Sequence, residues 1–148
     1  MTYGTYTNQV ANNKDFVVLL GETIAFTAPM VPSVAIPMGR FVSALASGLY
    51  DKATNATTGA LYLLEDTIAS TDADYATSAK RKSVRRGSAN GGYRVEFTPT
   101  GGALTASNVG DLVNLDATGQ FIDITVVGTQ FEILEVISAT RGIARVLA

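Results

Sequence analysis

The densest charge in this 148-residue chain is a basic run. Lys80, Arg81, Lys82, Arg85 and Arg86 place five of the eleven basic residues within seven positions. Seven acidic and three basic residues precede the run, and six acidic and three basic residues follow it. The run therefore stands out against an acidic background, in a chain whose net charge is -2. A concentrated positive strip suits docking on an acidic protein surface or on a phosphate backbone. The alternative is a solvated strand or loop, which is what most charge runs become. Nucleic acid fits less well than an acidic protein. No aromatic residue is interleaved with the run to stack on bases, and the sequence pI is about 5.0. As a docking patch, the run predicts that an Arg85→Glu/Arg86→Glu variant folds but binds its partner poorly.

The other residues that could do chemistry are weakly placed. Glu65, Asp66, Asp72 and Asp74 could meet a cation, but they lack the alternating carboxylates, the central Gly and the terminal Glu of a calcium loop. They read as an exposed polar loop, or as partners for the basic run of a neighbouring subunit. Asp72 with Asp74, and Glu132 with Glu135, are carboxylate pairs of the kind any acidic chain offers, and nothing marks them for acid–base work. There is no His and no Cys. This removes the commonest general base and metal ligand, and all thiolate, disulfide and iron–sulfur chemistry. No Gly precedes a Lys, so there is no Walker A loop, and Gly91-Gly92 and Gly101-Gly102 read as turns. Asn55-Ala56-Thr57 matches a glycosylation sequon by chance in a chain without a secretory signal. No catalytic residue, cofactor or metal is expected, and an enzyme is the weakest reading.

These residues must be carried by β-structure. Hydrophobic residues make up 47% and charged residues 16%. Ordinary globular chains carry about 25% charged residues, so this neutral surface, rich in Thr, Ala and Gly, suits packing against other subunits. The start has no basic cluster or apolar run, and Phe16–Leu20 is far short of the about 20 residues that span a bilayer, so neither targeting nor membrane contact is expected. Residues 1–14 read as an extended polar arm whose large side chains are Tyr3 and Tyr6. Such a segment can add to a neighbour's sheet or lie in a groove. Residues 15–148 read as one β-rich domain. Ile24 and Phe26 fall on one face of an alternating strand, and Pro29, Pro32 and Pro37 then forbid a helix. Strands flank a Thr- and Asn-rich loop at 51–59, which resembles a hairpin tip, and residues 66–78 have room for a short helical turn. Tyr93, Val95 and Phe97 alternate with Arg94, Glu96 and Thr98 as a half-buried strand. Residues 110–148 read as a C-terminal meander of four short strands. The predicted fold is all-β, or β-rich α+β, built as a small barrel or sandwich with an extended N-terminal arm.

The order of segments resembles a known family. A proline-interrupted apolar opening leads to Leu61-Tyr62-Leu63-Leu64-Glu65-Asp66, then a stretch of small residues, then the basic strand Lys82-Ser83-Val84-Arg85-Arg86-Gly87. Gly110-Asp111-Leu112-Val113, Gln130-Phe131-Glu132-Ile133-Leu134-Glu135-Val136 and Ala144-Arg145-Val146-Leu147 complete the pattern. It is similar to the head decoration, or cement, proteins of tailed bacteriophages over residues 35–148. The resemblance implies a non-enzymatic homotrimer on the outer capsid surface of the virion. Its partner would be the major capsid protein, with no specific nucleic acid and no membrane. Tyr3 and Tyr6 on the arm, and Lys80, Arg81, Lys82, Arg85 and Arg86 on the basic run, are then the expected capsid or subunit contacts. The alternatives are another phage structural subunit, such as a tail tube, head–tail adaptor or fibre base, and a carbohydrate-binding β-module using Tyr50, Tyr62, Tyr75 and Tyr93.

Overall fold

β-branched and aromatic stretches separated by Gly-, Asn- and Asp-rich turns fold as strands. The computed structural model describes residues 16–18, 23–87 and 93–147, and within them the fold is all-β apart from one 3-10 turn at Ala106–Asn108. In chain order the strands are β1 (Phe16–Val18), β2 (Thr23–Met30), β3 (Phe41–Ala44), β4 (Tyr50–Lys52), β5 (Tyr62–Leu64), β6 (Lys80–Gly87), β7 (Arg94–Phe97), β8 (Pro99–Thr100), β9 (Leu112–Leu115), β10 (Ile122–Val127), β11 (Phe131–Ser138) and β12 (Arg141–Val146). The arm at 1–14, with Tyr3 and Tyr6, lies outside the described residues.

The strands form two sheets. β2, β4, β3, β5 and β6 close into a barrel-like ring, and the other seven form a sheet in the order β1-β7-β12-β11-β9-β10-β8. The ring is unevenly closed. β2 pairs antiparallel with β6 along its whole length, from Thr23↔Gly87 to Met30↔Lys80, but meets β4 only at Met30↔Tyr50. One wall of the ring packs on the seven-stranded sheet. Phe41, Ala53, Leu61 and Leu63 from the ring side share one core with Val95, Phe97, Leu115, Ile122, Phe131 and Ile133. Phe41 and Phe131 meet edge to face, with centroids 5.4 Å apart. A second core, built from Ala28, Met30, Ile36, Val42, Leu64, Ile68 and Val84, fills the ring.

Several expectations need correcting. Pro29 lies within β2 rather than in a connection, because its missing N–H faces away from β6 and no ladder bond is lost. β4 and β5 are not a hairpin. Both pair with β3, one on each side. Residues 66–78 form successive turns with no helix among them. The C-terminal strands stand in the order β10-β9-β11-β12, so the chain steps over β9 after β10 instead of meandering. Phe131–Ser138 is a strand interrupted at Leu134 and at Ile137, where β11 carries one extra residue against β12. Both extra residues are exposed, as bulged residues often are.

The loop after β4 is fastened to the seven-stranded sheet by polar bonds. Gln130 is 2% exposed. Its Oε1 accepts from the Leu115 N–H at 2.7 Å, and its Nε2 donates to the carbonyls of Thr54 at 3.0 Å and Thr57 at 2.9 Å. Asn114 adds an Nδ2 bond to the Asn55 carbonyl at 3.2 Å. Gly119 sits in the same seam with φ +72°, and a Cβ there would run into the Ala53 carbonyl. Only glycine suits that position.

Candidate interaction surface

The basic run is strand β6, and the strand divides it. Side chains alternate across a strand, so Lys80, Lys82 and Arg86 share the face of buried Val84, while Arg81 and Arg85 lie on the other. The fold also occupies most of these cations. Lys80 is 5% exposed, and its Nζ donates to the carbonyls of Val31 and Tyr75, both at 2.9 Å. Lys82 faces Asp74 at 3.5 Å. Arg85 Nε meets Glu65 Oε2 at 3.2 Å in a pair whose side chains are 16% and 9% exposed, and its Nη1 donates to Thr23 Oγ1 at 2.9 Å. Arg86 lies over the Tyr62 ring, 5.3 Å from its centroid. Arg81 is exposed and pairs with no carboxylate among the described residues. Its Nε and Nη2 donate to Thr27 Oγ1 at 3.1 Å and to the Thr27 carbonyl at 2.7 Å. The five residues therefore do not form one docking patch. Arg81 is exposed, Arg86 is half-buried against Tyr62, and the other three are held by hydrogen bonds and ion pairs within the fold.

The acidic stretch supplies the partners. Glu65 holds Arg85 and Asp74 holds Lys82. Asp66 accepts from the Ser83 N–H at 2.8 Å, and Asp72 caps its own turn through the Ala69 N–H at 2.9 Å. The pairing is within one chain, so no neighbouring subunit is needed to neutralise it. Among the described residues, no three acidic side chains gather as a metal site would require.

Beside β6 lies a feature that charge reading missed. Ile24 and Phe26 share a face of β2 with Ala28 and Met30. Ala28 and Met30 are buried in the ring, whereas Ile24 and Phe26 are 52% and 37% exposed. Phe26 packs edge to face on Tyr62 (5.6 Å, 87°) and on Tyr50 (6.4 Å, 71°), and the two tyrosines pack likewise on each other (5.2 Å, 76°). Burial, followed by the charge and hydrogen bond of Tyr62, pushes the Tyr50 phenol above its ordinary pKa. Ile24, Phe26, Tyr50, Tyr62 and Arg86 thus make a continuous apolar rim with one cation. Its signal in the sequence was the Ile24/Phe26 alternation. Alternation tells which residues share a face but not whether that face is covered.

The rim does not suit sugar stacking. Its rings stand edge to face, so no two offer a common plane. Among the described residues the remaining tyrosines are Tyr75, which packs against the ring core, and Tyr93, which is 2% exposed. A second apolar hollow of about 320 Å³ opens where β10 carries three extra residues against β9. Leu112, Ile124 and Val127 line it with Asp111.

The Tyr93 hydroxyl is buried and has no hydrogen-bond partner among the described residues. Burial pushes its phenol above its ordinary pKa of 10.0, while Arg86 and Arg85 pull the other way. An unpartnered buried hydroxyl is a cost, so Tyr93→Phe is expected to leave stability unchanged or raise it by about 1 kcal/mol. The raised pKa gives stability that is complete below about pH 10 and falls above it, because the unfolded phenol ionises first. Urea unfolding at pH 9 and pH 11 checks this. Tyr93→Phe should shed about 1.4 kcal/mol per pH unit of that alkaline loss. An identical loss in both proteins would contradict the assignment.

No protein family, no curated protein and no solved structure matches the chain.

Proposed function

We propose that this chain is a structural virion protein that binds the outer surface of a tailed-phage capsid and ties adjacent major capsid subunits together. The observation that carries the reading is the exposed rim of Ile24 and Phe26, with Arg86 on the same face and exposed Arg81 on the opposite face of the strand pair. Large apolar side chains left uncovered beside a cation mark a contact surface. The resemblance to cement proteins supplies the partner. The expected shell contacts narrow to Arg81 and Arg86 from the basic run, together with the rim. Tyr3 and Tyr6 of the arm stay in the proposal.

The mechanism needs no chemistry. Copies assembled as a homotrimer would touch several shell subunits at once, and linked weak contacts add as avidity. A clamp that prefers the mature shell shifts the shell toward that state by its difference in affinity. Size-exclusion chromatography with light scattering, run on the protein alone and with bare shells of its phage, tests the reading. Co-elution near one copy per capsid subunit is the expected result. A closed ring of the protein that ignores the shell would move the assignment to a tail or adaptor subunit.

A further inference from the structure

The most specific feature of the surface is the backbone beside the rim. β2 is bonded to β6 throughout, without a bulge, and to β4 only at Met30. The Val31 N–H donates to the Tyr50 carbonyl at 3.0 Å, so residue 31 points away from β6. Backbone groups alternate along a strand. Pro29, Thr27 and Ala25 therefore also point their backbone groups away from β6. Pro29 has no N–H to offer, and the Thr27 carbonyl is taken by Arg81. The N–H and carbonyl of Ala25 and the N–H of Thr27 are left facing outward on an exposed segment, since residues 24–27 are all exposed.

We infer that this open edge of β2 receives an extended segment of the shell protein as an added strand. Strand addition takes its affinity from main-chain bonds and its selectivity from pockets for alternate side chains. The edge supplies two donors and an acceptor, and Ile24 and Phe26 stand beside it on one face. The charges state what the segment carries. Arg81 lies on one face of the edge and Arg86 on the other, so the segment pairs apolar side chains over the rim with a carboxylate directed at Arg81. A second copy of this chain is the poorer occupant, because pairing β2 with β2 brings two further arginines to the same ridge. The inference rests on the capsid reading and adds the means of attachment.

Proline offers a clean test, because it removes an N–H that β6 does not use. Pro29 already occupies an outward position of this strand. Ala25→Pro should keep the β2–β6 ladder and the fold, while removing a donor that strand addition needs. Binding to bare shells is measured by co-sedimentation for wild type, Ala25→Pro and Ala25→Ser. We expect Ala25→Ser to match wild type and Ala25→Pro to bind about tenfold more weakly or worse. A second measurement stands apart from any variant. The amides of Ala25 and Thr27 should gain protection from hydrogen exchange when wild-type protein is on the shell. Equal binding by Ala25→Pro, with no added protection at those amides, overturns strand addition and leaves the capsid reading in place. Wild-type protein that fails to bind shells overturns both. A proline-sensitive dimer of the free protein would assign the edge to a second copy and also overturn the inference.

Discussion

Replacing Gln130 with alanine is expected to lower the unfolding free energy by about 3 kcal/mol, which is a large share of the stability of a domain this size. The side chain satisfies one buried N–H and two carbonyls, those of Leu115, Thr54 and Thr57. Alanine leaves the Leu115 N–H and the Thr57 carbonyl without a partner, while the Thr54 carbonyl keeps the Thr57 N–H at 3.1 Å, and each orphaned group costs about 1–3 kcal/mol when water cannot reach it. Some water would enter through the loop, which is why the expected sum lies toward the low end. The loss should be local in character. Amides of residues 53–59 should exchange faster, because that loop is fastened to the seven-stranded sheet through Gln130 and Asn114. Urea unfolding gives the free energy. A change below about 1 kcal/mol would mean that the loop repacks and that Gln130 is not the fastening.

The second large effect concerns Arg85. The basic run alone suggests that Arg85→Glu spares the fold and harms binding. The fold predicts the reverse. Arg85 and Glu65 form an ion pair with little exposure on either side. Reversing one charge sets two carboxylates against each other, with Thr23 losing its donor as well. Breaking a buried pair costs about 3–5 kcal/mol. Arg85→Glu should therefore unfold at markedly lower urea, and Arg85→Glu combined with Glu65→Arg should recover part of the loss. Arg81→Glu is the contrast. Its side chain is exposed and meets no carboxylate among the described residues, so stability should change by no more than about 0.5 kcal/mol. Its shell binding should fall. An Arg85→Glu protein as stable as wild type would return that residue to the docking surface.

The two arginines show where sequence reading stops. The run at 80–86 is visible as charge, and its β character follows from the residues around it. Its neutralisation is not visible, because the partners Glu65 and Asp74 become neighbours only when β5 and the turns after it fold back on β6. β7 and β11 were legible because alternation or β-branched content ran long enough to dominate. β3, β4 and β5 are three or four residues each. Nothing so short specifies which neighbour it pairs with, and the hairpin expected around 51–59 failed for that reason. The rim had the opposite difficulty. Ile24 and Phe26 were correctly placed on one face, but a half-exposed strand and a buried one share the same alternation.

The proposal that joins these observations is that the chain binds the outside of a capsid. Cryo-electron microscopy of bare shells with and without added protein tests it most directly. The account predicts difference density on the outer surface, repeated with the shell's symmetry, bridging adjacent subunits, with the β2 edge and Phe26 turned toward the shell. Absence of added density on the shell, or density confined to the tail vertex, would contradict it.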